Sequence, residues 1–179
     1  MTEIGSAYGK ALYELAVSEE LSAEILSQLT VLQESFSREP AFLKLLSLRN
    51  LSKAEQCKII SDSFDGKVHP YVVNFLKILT EKGYIRRFAD CVAAYRTCYN
   101  EDHNILPVTA VTAVALSTEQ IVRLKEKLES ITEKSVELTN RVDPDCLGGV
   151  RLDLEGKCLD DTVAHRLESV RQLLKNTVL

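Results

Sequence analysis

The sequence has no long apolar run and no excess of charge of one sign. Its longest apolar stretch, residues 108–116, is nine residues long and includes two threonines, whereas a helix that spans a membrane needs about 20 apolar residues. The formal net charge is -4, with 12 basic and 14 acidic side chains in residues 1–104 and 10 and 12 in residues 105–179. Binding to nucleic acid or to an anionic membrane requires a basic face. We therefore expect neither nucleic-acid binding nor direct membrane insertion.

The sequence also shows neither the pattern of a secretory signal nor that of a disulfide framework. Residues 1–4, with the sequence MTEI, contain neither the basic nor the apolar region of a secretory signal. The five cysteines are odd in number and form no C-x-x-C pair, which is typical of reduced thiols used as small hydrophobic residues. These absences predict a protein that stays in the cytoplasm.

No familiar catalytic or metal-binding pattern is present either. The three histidines, His69, His103 and His165, do not stand at metal-ligand spacing from one another or from a cysteine, so we interpret them as surface or hinge residues. Cys91 and Cys98 are seven residues apart on one face of a predicted helix, but no further ligand stands nearby. We interpret both as core or half-buried thiols, and we predict no metal site and no catalytic residue.

Two residue pairs could suggest chemistry but have simpler explanations. Asp160 and Asp161 are adjacent carboxylates, but adjacent side chains point apart, and capping at the start of a helix explains both. Gly148 and Gly149 lack the rest of a phosphate-binding loop. A glycine pair that enters a strand is typical of a bulge or a close backbone approach. We therefore expect no cofactor.

The first part of the chain shows the periodicity of helices. One apolar stripe runs through residues 4–16 and a second through residues 21–36. Pro40 suits the first turn of a short third helix. The motif SKAE at residues 52–55 is a capping box, which predicts a fourth helix. The inward face of that fourth helix is predicted to consist of Cys57, Ile60 and Phe64.

Two more helices complete this part. Apolar residues within 72–79 predict a fifth helix, and Gly83 is well placed as its C-terminal cap. Apolar residues within 85–99 predict a sixth. Six helices joined by short loops across about 100 residues describe a helical bundle.

The pattern changes at about His103. Residues 105–116 are rich in β-branched side chains, which favours a strand, and Pro107 places the start of that strand at a sheet edge. The motif STEQ at residues 117–120 is another capping box and opens a helix. Apolar side chains then alternate through residues 136–142, which predicts a second strand.

A third strand and a last helix follow. Apolar residues alternate through 150–154, and the last helix is predicted to begin near Asp160. The fold class is therefore mainly α, with a six-helix bundle over residues 1–104 followed by a small α+β domain (β-α-β-β-α) over residues 105–179.

Helices 1 and 5 have wider apolar arcs than a single neighbour requires. Tyr13 lies off the main stripe of helix 1, and Ile78 widens the stripe of helix 5. Surplus apolar surface on a small bundle is typical of a groove that binds a partner helix. The alternative is that Tyr13 and Ile78 contact neighbouring helices of the bundle.

Five blocks of the sequence resemble one known family. Residues 7–16, AYGKALYELA, resemble the opening of the delta subunit of bacterial F-type ATP synthases, a family that includes the mitochondrial oligomycin-sensitivity-conferring protein. The similarity continues within residues 74–83, 111–117, 142–150 and 159–168, in the same order.

Two positions depart from the pattern of this family. The family often has Gly-Ser where Asp161-Thr162 stands, and often has alanine where Gly9 stands. A glycine inside a helix lowers helix stability by up to about 1 kcal/mol. Neither departure removes a catalytic residue, because the family has none at these positions.

The resemblance implies a non-catalytic linking subunit in the peripheral stalk of the enzyme. One copy per complex would hold the N-terminal helix of an alpha subunit with its bundle and the C-termini of the b subunits with its second domain. It would lie peripherally at the cytoplasmic face of a bacterial membrane and keep the catalytic head from turning with the rotor. The remaining alternatives are an unrelated helical-bundle adaptor and a small enzyme with an unrecognised site.

The family's pattern also implies particular residues. The alpha-subunit helix would pack against helices 1 and 5, close to Tyr8, Ala11, Leu15, Phe75 and Ile78. Structural roles are expected for Gly83, Gly148, Gly149 and Asp160.

Overall fold

The chain folds into two units, one formed by residues 1–99 and the other by residues 100–179. The division lies slightly before the boundary that the sequence predicts, within the last turns of the sixth helix. A computed structural model describes residues 2–47, 51–146, 148–154, 157–160 and 162–163.

The first unit is the predicted six-helix bundle. A single 3-10 turn, Ile85–Arg87, precedes the last of its helices. The helices are α1 (Glu3–Ser18), α2 (Ser22–Arg38), α3 (Pro40–Leu45), α4 (Lys53–Phe64), α5 (Pro70–Glu81) and α6 (Phe88–Asp102).

Several helices begin at residues that satisfy their free backbone N–H groups. The predicted capping box of α4 is present: the Ser52 hydroxyl accepts from the Glu55 N–H at 3.2 Å, and the Glu55 carboxylate accepts from the Ser52 N–H at 2.8 Å. These bonds to Ser52 lower the pKa of Glu55 below its ordinary value. Pro40 is the first residue of α3, where its missing N–H is not needed.

Aromatic side chains form much of the bundle core. Tyr13 is buried and packs edge to face on Tyr95, with ring centroids 5.2 Å apart, so Tyr13 belongs to the core and not to a surplus surface. The Tyr95 hydroxyl donates to the Ser22 carbonyl of α2 at 2.9 Å. A second aromatic cluster centres on Phe36, whose ring packs against Phe42, Phe64 and Phe88.

The prediction for the inward face of α4 was wrong at Cys57. That thiol is half-buried and donates to the Glu81 carboxylate at 3.8 Å, whereas Gln56 is 2% exposed. The Gln56 amide oxygen accepts from the Lys53 ammonium group at 3.3 Å, and its nitrogen donates to the Leu51 carbonyl at 3.5 Å. Because these bonds satisfy the amide, a polar residue can occupy the core position.

The second unit contains a helix and a four-stranded sheet. Its strand order is β2-β1-β3-β4, with β1 parallel to β2 and antiparallel to β3, and with β4 antiparallel to β3. The helix α7 crosses from β1 to β2 and begins at the predicted capping box of Ser117 and Gln120. The elements are β1 (Ile105–Thr112), α7 (Thr118–Thr132), β2 (Ser135–Val142), β3 (Val150–Leu154) and β4 (Lys157–Asp160).

Two sequence predictions for this unit need correction. The strand β1 is central and not at an edge, because β2 pairs with it on one side, where Glu137 lies opposite Pro107, and β3 pairs with it on the other. A fourth strand, β4, extends to Asp160, where the last helix was predicted to begin. Of that helix, Val163 is helical, and the later residues lie outside the part of the chain that the structure describes.

The apolar face of the sheet packs against α7. Val108, Val136 and Leu128 of the three elements are buried together, with half-buried leucines around them. Asn140 of β2 ties the strand ends to the loop that follows β1: its amide nitrogen donates to the Ala110 carbonyl at 2.9 Å, and its oxygen accepts from the Leu116 N–H at 3.0 Å.

Within the described residues, no helix combines the length and hydropathy that crossing a membrane would require.

Candidate functional site

An apolar groove of about 450 Å³ lies between α1 and α5 of the first unit. Both helices contribute residues at the spacing i, i+3, i+4 and i+7, which is one face of a helix. Only one of the lining residues, Asn74, has an amide side chain, and the others are apolar or aromatic. The lining residues are Tyr8, Ala11, Leu12, Leu15, Tyr71, Asn74, Phe75 and Ile78.

The groove has a buried floor and exposed apolar walls. Leu12 and Phe75 are almost completely buried, at 5% and 6% exposure. Leu15 and Ile78 are 41% and 44% exposed, although burial of such side chains is favourable by about 1.5–3 kcal/mol each. Ile78 therefore does not bury all of its apolar surface against a neighbouring helix, which leaves part of that surface available to a partner.

The structure brings all five predicted contact residues together in this groove, namely Tyr8, Ala11, Leu15, Phe75 and Ile78. Their role in binding a partner remains a prediction. Sequence reasoning did not select Leu12, Tyr71 and Asn74, which also line the groove. Their signal was available in the spacing, because each lies three or four residues from a selected position on the same helix.

Two glycines allow α1, which forms one wall of the groove, to pack closely against α6. A Cβ atom built on Gly9 would lie 2.4 Å from the Cys91 carbonyl oxygen and 2.7 Å from the Ala94 Cβ. A Cβ built on Gly5 would lie 2.5 Å from the Asp90 Cβ. Real Cβ atoms do not approach other atoms so closely, so only glycine permits this separation between the helices.

The start of α1 is fixed to α6 by a hydrogen bond. The Thr2 hydroxyl donates to the Asp90 carboxylate at 2.7 Å and accepts from the Gly5 N–H at 3.4 Å. The bond from Thr2, with a smaller contribution from the Arg87 charge, lowers the pKa of Asp90 below its ordinary value. The carboxylate is therefore ionised at neutral pH and holds the helix terminus.

The α5 wall begins at a histidine cap. His69 Nδ1 accepts from the Tyr71 N–H at 3.3 Å, and the His69 N–H donates to the Gln28 side chain of α2 at 2.7 Å. The rings of His69 and Tyr71 lie 4.9 Å apart. His69 thus has a structural role at the start of the wall, beyond the surface or hinge position expected from the sequence. At the other end of α5, Gly83 has φ +76°, the left-handed conformation that glycine adopts readily.

Three exposed valines, here called the second surface, lie around one end of the sheet in the second unit. Val142 ends β2 opposite Thr112 of β1 and is exposed. Val114, which is 76% exposed, follows β1 and accepts at its carbonyl from the Thr112 hydroxyl at 2.8 Å. Val163 is also exposed and donates through its N–H to the Gly148 carbonyl at 3.0 Å. Three valines therefore flank the same strand ends.

The remaining predicted structural residues lie beside this second surface. Gly148 and Gly149 have φ +155° and +82°, and a Cβ on Gly148 would meet Val163 Cγ2 at 3.4 Å. The Asp160 carboxylate accepts from the Thr162 N–H at 3.0 Å and from the Thr162 hydroxyl at 2.7 Å, which is the pattern of an Asx turn. The neighbouring Asp161 lies outside the described residues.

Three of the thiols, Cys57, Cys91 and Cys158, are poorly suited to nucleophilic chemistry. Burial raises the pKa of Cys91 to about 11. Burial and the Glu81 carboxylate raise the pKa of Cys57, and the hydrogen bond to Asp153 at 3.3 Å raises that of Cys158. A protonated thiol is a weak nucleophile. In the described part of the chain, no group of three or more His, Cys, Asp or Glu side chains could hold a metal ion.

Comparison with known proteins identifies the family. The family model for the "ATP synthase delta (OSCP) subunit" matches residues 4–174. The ATP synthase subunit delta of Alkaliphilus oremlandii is 29% identical over 176 residues, 98% of each chain. That of Lactobacillus gasseri is 32% identical over 176 residues, 97% of this chain and 96% of the relative.

A solved structure has the same fold. It belongs to the cryo-EM structure of the Toxoplasma gondii mitochondrial ATP synthase hexamer, and it matches with a TM-score of 0.78 at 16% identity over 97% of this chain and 98% of the other. The predicted fold class is thereby confirmed. The match over nearly the whole length also replaces the hypothesis of an unrelated adaptor. The chain belongs to the ATP synthase delta (OSCP) subunit family.

Proposed function

We propose that the chain is a stator subunit, which links the catalytic head of an F-type ATP synthase to the membrane-anchored b subunits. It would prevent the head from turning with the rotor, so that torque is used for ATP synthesis. Membership of the family supports this proposal. So do the apolar groove of the first unit and the exposed valines of the second.

The first surface would bind the N-terminal helix of an alpha subunit. The observation that carries this proposal is the groove of about 450 Å³ with two apolar walls, whose Leu15 and Ile78 side chains are partly exposed. An amphipathic helix presents apolar side chains at i, i+3, i+4 and i+7. The groove walls offer the same spacing, so each turn of a bound helix can bury an anchor between them.

The second surface would bind the C-termini of the b subunits. The exposed Val114, Val142 and Val163 at one end of the sheet provide apolar area for this contact. Gly148 and Gly149 allow the backbone to turn beside the valines with positive φ angles. The distribution of charge agrees with protein partners, because the net charge of -4 is shared evenly along the chain.

In this proposal the chain carries no catalytic group. Its residues bind, and the mechanical role follows from holding two partners at once. One copy would serve one complex, at the cytoplasmic face of a bacterial membrane and without entering the bilayer. The strength of the link depends on apolar burial at each end and not on chemistry at any side chain.

The test is a titration with a synthetic peptide of the alpha-subunit N-terminus from the same organism. Ile78→Asp replaces an apolar wall side chain with a charge that binding would desolvate. We expect its Kd to rise at least about 30-fold, which corresponds to about 2 kcal/mol. Isothermal titration calorimetry gives the Kd, and circular dichroism checks that the bundle stays folded.

Val31→Asp is the matched control. Val31 is 63% exposed on α2 and does not line the groove, so the same chemical change should leave the peptide affinity within about twofold. Equal affinities for wild type and Ile78→Asp would contradict the groove as the binding site. Equal losses in both variants would show that binding depends on net charge alone.

A further inference from the structure

The two faces of α1 have different tasks. One face carries Gly5 and Gly9 and packs on α6. The other carries Tyr8, Ala11 and Leu15 and forms a wall of the groove. Because both faces belong to one rigid helix, any change in how α1 packs on α6 also moves the wall.

The contact at Gly9 leaves no room for a side chain. The Cβ of an alanine at this position would lie 2.4 Å from the Cys91 carbonyl oxygen and 3.1 Å from the Tyr95 nitrogen. Both are backbone atoms of α6, so they cannot move aside by a change of rotamer. Restoring an ordinary separation of about 3.5 Å would require α1 to shift by on the order of 1 Å.

We propose that Gly9 is a positioning residue for the partner groove. In this chain, which has glycine where the family often has alanine, the missing side chain places α1 close to α6 and thereby sets the distance between the α1 and α5 walls. This inference rests on the proposed function, because it concerns the affinity of the groove for the alpha-subunit helix. It assigns to Gly9 an effect on binding although the residue does not line the groove.

Helix propensity alone predicts that Gly9→Ala would stabilise the chain and not destabilise it. Alanine is the best helix former and glycine one of the poorest, so Gly9→Ala would stabilise an α1 that was free of α6. The separation of 2.7 Å between a Cβ at this position and the Ala94 Cβ makes the substitution unfavourable instead. A loss of stability in Gly9→Ala would therefore indicate the close contact between α1 and α6. A loss of peptide affinity would indicate that the α1 wall of the groove has moved.

The experiment measures peptide Kd and the urea midpoint of the full chain for wild type, Gly9→Ala and Gly66→Ala. Gly66 has φ +74°, and a Cβ atom added to it would have no neighbour within 4 Å, so alanine there strains the backbone without moving a groove wall. We expect both variants to lower the urea midpoint. Only Gly9→Ala should raise Kd, by about tenfold.

Rescue and a milder variant complete the test. Ala94→Gly removes the side chain that faces Gly9, and the double variant Gly9→Ala/Ala94→Gly should recover part of the lost affinity. If Gly9→Ala does not fold, Thr2→Val takes its place, because it removes both hydrogen bonds of the Thr2 hydroxyl, to Asp90 and from the Gly5 N–H, without adding a side chain at the helix contact. We expect Thr2→Val to raise Kd about threefold.

The outcomes separate this inference from the proposed function. If the wild-type chain does not bind the peptide, the proposed function fails. If wild type binds and Gly9→Ala binds within twofold of it, the positioning role is wrong and the proposed function stands. An equal rise of Kd in Gly66→Ala would also overturn the positioning role, because general destabilisation would then explain the loss.

Discussion

At the scale of the residue, several polar side chains stabilise the starts of helices by hydrogen bonding to backbone N–H groups. Ser52 and Glu55 exchange hydrogen bonds at the start of α4, and His69 accepts one at the start of α5. Each of these bonds satisfies a backbone N–H that would otherwise lack a partner inside the helix. We therefore expect substitutions at these positions to be costly although they lie near the surface.

The capping box of α4 makes a pH-dependent contribution to stability. Bonds from Ser52 lower the pKa of Glu55 in the folded chain. A lowered folded-state pKa means that the stabilisation is present above the ordinary pKa and is lost as pH falls through the folded value. Glu55→Gln keeps a side chain that suits the box but removes the charge, so we expect it to be less stable than wild type at pH 7.

Urea unfolding at pH 7 and at pH values down to 3 checks this prediction. The difference in the free energy of unfolding between wild type and Glu55→Gln should shrink as pH falls below the ordinary value of a glutamate. Glu34→Gln is a suitable control, because its partner Arg38 lies 3.8 Å away and both side chains are mostly exposed. If the difference in the free energy of unfolding between wild type and Glu55→Gln did not change with pH, the lowered pKa of Glu55 would not contribute to stability as predicted.

At the scale of the element, the strand ends of the sheet depend on one amide. Asn140 joins β2 to β1 and to the loop after β1. Its removal would leave the Leu116 N–H and the Ala110 carbonyl without this partner. Unsatisfied polar groups of this kind cost about 1–3 kcal/mol.

We therefore expect Asn140→Ala to lower the free energy of unfolding of the second unit by about 2 kcal/mol. Hydrogen exchange of the β1 and β2 amides should accelerate, with little change in the helices of the bundle. Thr139→Ala, at the preceding residue of the same strand and exposed, is the control and should change exchange only slightly. Identical protection in the two variants would show that the Asn140 bonds add no stability.

Elements with strong local signals were predictable, and contacts that depend on tertiary structure were not. The stripe of α1 and the capping boxes at Ser52 and Ser117 identified helices because each signal lies within a few turns of one element. The strand β4 was not predicted because its four residues, Lys-Cys-Leu-Asp, show no clear alternation. Tyr13 was ambiguous because its partner, Tyr95, is distant in the chain.

The groove was predictable in part for the same reason. The apolar arcs of α1 and α5 are visible in the sequence, and the resemblance to a family selected five residues of the lining. The role of Gly9 in the packing of α1 on α6 could not be predicted from the sequence. A glycine in a helix registers only as a loss of helix propensity until the backbone of α6 is placed beside it.

At the scale of the whole molecule, the proposed role requires two independent binding ends. Val142→Asp alters the apolar end of the sheet in the second unit and leaves the groove of the first unit unchanged. We expect this variant to lose binding to the b subunits while its affinity for the alpha peptide stays within twofold of wild type. Ile78→Asp should show the opposite pattern.

Reconstitution of the complex checks this separation. Each variant should assemble with one partner but fail to couple ATP hydrolysis to ion pumping in vesicles, because a stator broken at either end cannot resist torque. Glu137→Gln on β2, an exposed position away from the strand ends, should couple normally. Normal coupling in both Asp variants would contradict the two-ended linking role.

The open groove also bears on how a cell must produce this chain. In the proposed role, each newly made copy presents an apolar cleft until a partner helix covers Leu15 and Ile78, and such surfaces promote self-association. Copies made in excess of the partner subunits would therefore be prone to aggregate or to be degraded. If the proposed role holds, balanced synthesis of the subunits would keep few chains with an uncovered groove.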